Sequence, residues 1–346
     1  MKLFYLISSL FTIIITFTWA NAQQLCNGHA ELCNKSYSAV SFVATHNSYA
    51  YGNLVAATQD YSIPTQLKDG VRGFLLSALA SPNPSSTDIE LCHTSCSLLD
   101  AGTVVNTLKN FTTFLQNNPN EVITLFWRND FSNLTATDFK TAFDKAGLTQ
   151  YCFTQPLGSA WPTMSDIISS GKRVMNFLDS GADTTTVPWL MAEYSYVFET
   201  PYDNTDPNAV WPCTIDRPKG QSRPLYMINH FLYTEIASSS IEVEIPSRSI
   251  VNSTNSLSLQ TQAQNCTKIF GKAPNFIAVD FYDQGSKDLN VFSVIANYNG
   301  VPYTPTTYGD GSINNKVSSK ANSIKINFST AIVSLLIIFI FAVVEL

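Results

Sequence analysis

The chain has 346 residues, of which 13% are charged, and a net charge of −6. An acidic, charge-poor chain offers no basic stripe for a phosphate backbone, so no nucleic-acid partner is expected. Aromatic residues at 12% and few glycines are the composition of a packed globule and exclude a disordered stalk as the bulk of the protein.

Residues 1–22 set Lys2 ahead of an apolar stretch and close on Ala20-Asn21-Ala22. A short apolar core followed at once by a small-x-small site reads as a secretory signal peptide, removed in the mature protein.

The segment 23–308 alternates short β-branched runs with helical patterns, as repeated βα units around a parallel sheet do. The runs predict strands at 40–45, 71–77, 89–92, 122–127, 173–178, 194–199, 225–228 and 276–279. Eight is the strand number of a TIM (β/α)8-type barrel, an α/β fold that one domain of this length can build. Helices are expected at 102–117, 138–146 and 164–170, where apolar residues recur near the 3.6-residue period.

Residues 309–327, rich in Gly, Ser, Asn and Lys, read as a flexible stem. The apolar run 328–344 stops two residues before the end and follows small residues, among them Ser318, Ser319 and Ala321. That is the arrangement of a GPI attachment signal, with the tail 328–346 removed and lipid added near Ser319. A retained tail helix is the other reading.

The seven cysteines lie after residue 22, and in an oxidising compartment their default state is disulfide. Short spacings favour Cys26–Cys33 and Cys92–Cys96, leaving Cys213–Cys266 as the long bridge and Cys152 alone. No second Cys/His pair at zinc spacing accompanies Cys92 and His93. Asn-x-Ser/Thr sequons mark Asn34, Asn110, Asn133, Asn252 and Asn265 as glycosylation candidates.

In a barrel of this kind the reacting groups gather where strands end. His46 follows the first predicted strand, His93 the third and Asp280 the eighth, while His230 lies just past the seventh and Arg128 just past the fourth. Imidazoles can take or give a proton near neutral pH, and a guanidinium can grip phosphate oxygens bidentately. His46, His93 and Asp280 are therefore the candidate catalytic groups, and Arg128 and His230 the candidate substrate contacts. Asp179 and Asp283 are second-tier pocket residues, and Glu121, ahead of its strand, reads as structural. A glycoside hydrolase would need two carboxylates facing each other, and only Asp280 is well placed.

The motifs His46-Asn47-Ser48, Gly70-Val71-Arg72, Leu91-Cys92-His93 and Asn118-Pro119-Asn120-Glu121-Val122 resemble the catalytic barrel of phosphatidylinositol-specific phospholipase C. Cys92 to Cys96, then Leu98-Leu99-Asp100-Ala101-Gly102 and Ala273-Pro274-Asn275-Phe276, are similar in style to its secreted fungal and oomycete-type branch, the PLC-like phosphodiesterases. The resemblance implies His46 as general base, His93 as general acid, and Asp280 as the group that orients an imidazole. It also implies a phospholipid or glycosylphosphatidylinositol-like substrate; a monomer is expected, held at the membrane by the lipid anchor read from the C-terminal signal. Asn47 matches a calcium-ligand position of the metal-dependent branch and is taken as a substrate contact. Where the family carries an acidic pair or an arginine on strand two, this chain has Leu75, Leu76 and Ser77. One amide oxygen cannot hold calcium, which takes six to eight oxygens. Neither metal nor cofactor is expected, and turnover itself is placed in question, with a surface binding protein as the alternative.

Overall fold

The computed structural model describes residues 24–309 except 84, 93, 94, 130, 131, 133, 239 and 240, together with the side chains of those residues save 236–238 and 241–244. The expected signal peptide, the stem beyond Gly309, Ser319 and the apolar tail lie outside the described residues, as do His93 and Asn133.

The chain runs through β1 (Phe42–Thr45), helix α1 (Ile63–Asp69), β2 (Gly73–Ala80), β3 (Ile89–Cys92), β4 (Asp100–Thr103) and α2 (Val104–Asn117). It continues with β5 (Ile123–Arg128), α3 (Ala136–Ala146), α4 (Met164–Ser170), β6 (Val174–Leu178), β7 (Leu190–Ala192), α5 (Glu193–Tyr196), β8 (Val197–Glu199) and β9 (Leu225–His230). The last elements are β10 (Tyr233–Ser238), β11 (Ile241–Pro246), α6 (Val251–Ser253), α7 (Leu259–Phe270), β12 (Phe276–Val279) and α8 (Val291–Asn299).

Parallel strands form one curled sheet in the order β7-β6-β5-β2-β1-β12-β9-β8. It is an α/β barrel of eight parallel strands in a single domain, with β7 and β8 at the two ends of the sheet. Two of the predicted strands need correction. The run 89–92 is a strand, but it turns back antiparallel along β2, with Leu91 opposite Ala78, and pairs with β4 outside the barrel wall. The eighth wall strand is Leu190–Ala192, which follows Pro188 and is too short to show a period. The run 194–199 begins as the single turn α5 and only becomes strand β8 at Val197.

Local chemistry sets the helix ends. Thr135 and Asp138, and likewise Thr163 and Asp166, form reciprocal capping boxes that satisfy the first free amides of α3 and α4. Thr103 caps α2, whose apolar stripe from Val104 through Leu108 and Phe111 to Leu115 is buried against the sheet.

The inside of the barrel is filled by Phe42, Ala44, Phe126, Phe177, Met227 and Phe276. One position there tolerates only glycine: a Cβ on Gly73, which pairs with Ala44, would stand 2.8 Å from the Cβ of Ala44. At the amino-terminal end of the strands, Asn27 pairs with both backbone groups of Val122. Arg72 donates to Glu121 at 2.7 Å there, so Glu121 is a structural partner on the face away from the strand ends that carry His46 and Asp280.

Three disulfides, Cys26–Cys33, Cys92–Cys96 and Cys213–Cys266, tie loops to this frame. Cys152 is free and buried, its thiol pushed up by desolvation. Asn34, Asn110, Asn252 and Asn265 are exposed. No helix among the described residues is long and apolar enough to cross a membrane.

Candidate active site

Register brings the first two groups together. β1 lies beside β12 with Thr45 opposite Val279, so the next residue of each strand, His46 and Asp280, emerges at the same level of the same rim. His46 Nδ1 and Asp280 Oδ1 are 2.8 Å apart. Both side chains are buried: His46 is 8% exposed and Asp280 4%. Burial raises the carboxyl pKa of Asp280, against the opposing pull of His46. With Asp280 ionised, Nδ1 carries the imidazole proton and Nε2 remains as the acceptor. The other oxygen of Asp280, Oδ2, has no hydrogen-bond partner among the described residues.

The pair is held from behind by the backbone. Thr58 Oγ1 and Gln59 Nε2 donate to the carbonyl of His46 at 2.9 and 2.8 Å, and Gln59 also reaches Val279 at 3.0 Å. Asn255 Nδ2 donates to the carbonyls of Asp280 and Phe281 at 2.8 and 3.1 Å. Asn47 and Phe281, the residues after the pair, both adopt positive φ, 40° and 46°. This conformation is costly for a bulky residue and persists only where surrounding contacts impose it. The imidazole lies flat on Phe231, centroids 3.9 Å apart and planes 5° from parallel, and Nε2 is 3.5 Å from the hydroxyl of Tyr233. None of Thr58, Gln59, Phe231, Tyr233 or Asn255 was read from the sequence, because each reaches the site from a loop or ribbon with no periodic signal.

Tyr49 donates to the carbonyl of Cys92 at 2.9 Å, so the loop after His46 is tied to the bridged loop that carries His93. The antiparallel run of β3 along β2, with Leu91 opposite Ala78, sets Cys92 near Ser77. Asn47 is buried, with its amide oxygen 3.5 Å from the Tyr49 hydroxyl.

Arg128 ends β5, opposite Ser77 on β2. Its Nε lies 4.0 Å from Asp179, and its guanidinium lies 5.7 Å from the centre of the Tyr202 ring. Asp179 is engaged on both sides, also accepting from the amide of Asn129. On strand two Leu76 and Ser77 are both buried. Among the described residues no group of three or more His, Cys, Asp or Glu could hold a metal ion.

His230 departs from the expected role of substrate contact. It is fully buried, Nδ1 2.6 Å from Gln262 and Nε2 2.8 Å from the carbonyl of Thr254, with the tilted ring of Trp211 against it, centroids 4.0 Å apart. Desolvation pushes its pKa down to about 4, so it is a neutral packing residue with no ring nitrogen left for a ligand. Asp283 is likewise engaged with Gln284, beside Asp60 and Arg248.

Residues 32–293 match the family model for the PI-PLC X domain. The chain belongs to the PI-PLC X family. It is 37% identical over 273 residues to PI-PLC X domain-containing protein 1 of Arthroderma benhamiae, covering 75% of this chain and 86% of that one. An uncharacterized secreted protein of the same organism is 34% identical over 333 residues, 90% of this chain and 73% of its own. Among solved structures, the phosphatidylinositol-specific phospholipase C of Listeria monocytogenes superposes with a TM-score of 0.50 at 16% identity, over 79% of this chain and 96% of that one. That likeness is one of fold. The family and the fold together mark this PI-PLC X domain as of the phosphodiesterase, phospholipase C-like kind.

Proposed function

We propose that this protein cleaves the phosphodiester bond of a phospholipid or glycosylphosphatidylinositol-like substrate by proton transfer between two histidines, without a metal. The observation that carries the reading is the His46–Asp280 pair at adjacent strand ends, with Nε2 of His46 turned toward Tyr233 at the rim. His46 Nε2 takes the proton of the attacking hydroxyl, and Asp280 offsets the charge that then forms on the imidazole. His93 returns a proton to the leaving oxygen. Such transfers each contribute on the order of 10²–10⁴-fold. Arg128 supplies the positive charge that the phosphoryl oxygens need in the transition state, and Asn47 is a contact to the substrate. The mature protein acts as a monomer on the cell surface, glycosylated at its exposed sequons and tethered through a lipid near Ser319.

The test is hydrolysis of phosphatidylinositol in mixed vesicles by the purified mature protein and by His46→Ala and His93→Ala. Both variants are expected to fold, by circular dichroism, and to lose turnover by at least about 10²-fold. Wild-type rates in either folded variant would sink the assignment.

A second reading is a barrel that binds at the surface without turnover. It is favoured by Leu76 and Ser77, buried and uncharged where a charged group would be needed. Vesicle binding by the wild type with no hydrolysis above that of His46→Ala would select it.

A further inference from the structure

Two buried oxygens at the His46–Asp280 pair have no hydrogen-bond partner among the described residues: Oδ2 of Asp280 and Oδ1 of Asn255. Both residues line one cavity of about 10 Å³, with Phe231, Ser247, Val251 and Phe281 among its other walls. Each of these six is 8% exposed or less.

A break between α6 and α7 delivers Asn255 to this place. The backbone leaves helical geometry at Asn255 (φ −80°, ψ 16°) and Ser256 (φ −117°, ψ −114°), and irregular turns of this kind within helices are frequent at functional sites. The break is tied to two strand ends. The carbonyl of Thr254 lies 2.8 Å from His230 Nε2, and Asn255 Nδ2 donates to the carbonyls of Asp280 and Phe281. Both partners of that nitrogen are acceptors, so the amide cannot turn over and Oδ1 is held away from them. A Cβ on Gly285 would stand 2.9 Å from the carbonyl oxygen of Asn255, so the loop after β12 closes tightly on the break.

The polar balance names the occupant. Ionised Asp280 Oδ2 and Asn255 Oδ1 are both acceptors, so a group that joins them must donate twice. A water molecule does so, and a buried water needs a space of about this size with two to four polar partners. The Ser247 hydroxyl, 2.6 Å from that of Thr234, is a further polar group of the wall. Phe231, Val251 and Phe281 offer no side-chain oxygen, which suits a water better than a cation that takes six or more oxygens.

We propose that one water molecule is bound in this cavity and bridges Asp280 Oδ2 to Asn255 Oδ1, which makes Asn255 a positioning residue for the His46–Asp280 pair. Asn255 then holds Asp280 twice, its backbone through Nδ2 and its carboxylate through the water. A hydrogen bond to the charged form favours it, against the burial that disfavours an ionised Asp280. The bridge belongs to the pair itself and stands whether or not the barrel turns over a substrate.

The test is a high-resolution crystal structure of the mature protein, with the Asp280 carboxyl titrated by ¹³C NMR in the wild type and in Asn255→Leu, which keeps the volume and removes both polar atoms. One density peak without anomalous signal is expected about 2.6–3.1 Å from both oxygens. In Asn255→Leu the pKa of Asp280 should rise by about one pH unit, the worth of a hydrogen bond to a charged group. The wild-type structure decides alone if the variant does not fold. No peak, a peak with anomalous signal or at a metal–oxygen distance below about 2.5 Å, or an unmoved Asp280 pKa in folded Asn255→Leu would overturn the bridge.

Discussion

Asp280 engages His46 through one carboxylate oxygen at 2.8 Å, while its second oxygen, buried, has no partner among the described residues. The imidazole is thus the only described hydrogen-bond partner of this side chain. An imidazolium formed at His46 is the natural counter-charge to the buried carboxylate.

Asp280→Asn keeps the shape and removes the charge. We expect kcat to fall on the order of 10²-fold with KM changed by less than about threefold. Steady-state kinetics from pH 5 to 8 checks this, and an unchanged kcat would remove Asp280 from the mechanism.

The buried neutral state of His230 makes stability depend on pH. Its pKa falls from 6.5 unfolded to about 4 folded, so the unfolded chain binds a proton more readily. The contribution is fully present above pH 6.5 and is lost as pH falls through about 4. The shift corresponds to roughly 3 kcal/mol. Urea midpoints should drop between pH 7 and pH 4, and His230→Gln should lower the midpoint at pH 7 while flattening that slope.

Gly73→Ala places a methyl 2.8 Å from the Cβ of Ala44 between two paired strands. Neither backbone can yield without breaking the β1–β2 ladder beside His46. The expected cost is about 1–3 kcal/mol, read from the urea midpoint, with activity falling alongside. An unchanged midpoint would mean that the strands separate more easily than the packing implies.

Calcium chelation should leave hydrolysis unchanged, since the strand-two side chains Leu75, Leu76 and Ser77 offer no carboxylate. EDTA that stops turnover, with recovery on adding Ca²⁺, would overturn this.

The C-terminal tail is expected to be absent from the mature protein. Each buried CH₂ of an anchor contributes about 0.8 kcal/mol, so a two-chain lipid near Ser319 holds a protein stably. Bacterial phosphatidylinositol phospholipase C should release it from cells, and mass spectrometry should find no peptide containing Ile332 to Leu346. Intact tail peptides would show a retained helix instead.

Much of this site was legible in the sequence. His46 and Asp280 each close a buried apolar run, and alternating strand and helix patterns dictate that such runs lie side by side in a parallel sheet with their ends on one rim. The caps at Thr103, Thr135 and Thr163 are local chemistry, and the helices end close to where that chemistry puts them. The identity of the wall strands was not legible. Hydrophobic runs report burial but not the direction of the neighbour, so 89–92 looked like a wall strand although it runs back along β2. Leu190–Ala192 is too short to have a period at all. His230 shows the same limit from the other side: a strand-end histidine satisfies the pattern, yet Gln262 and the carbonyl of Thr254, 32 and 24 residues away in sequence, occupy both its nitrogens. The stacking of Phe231 on His46 and the burial of Glu193 and Glu199 are likewise tertiary. They depend on how the sheet curls and where it stops, which is set by packing over the whole barrel and by no single segment.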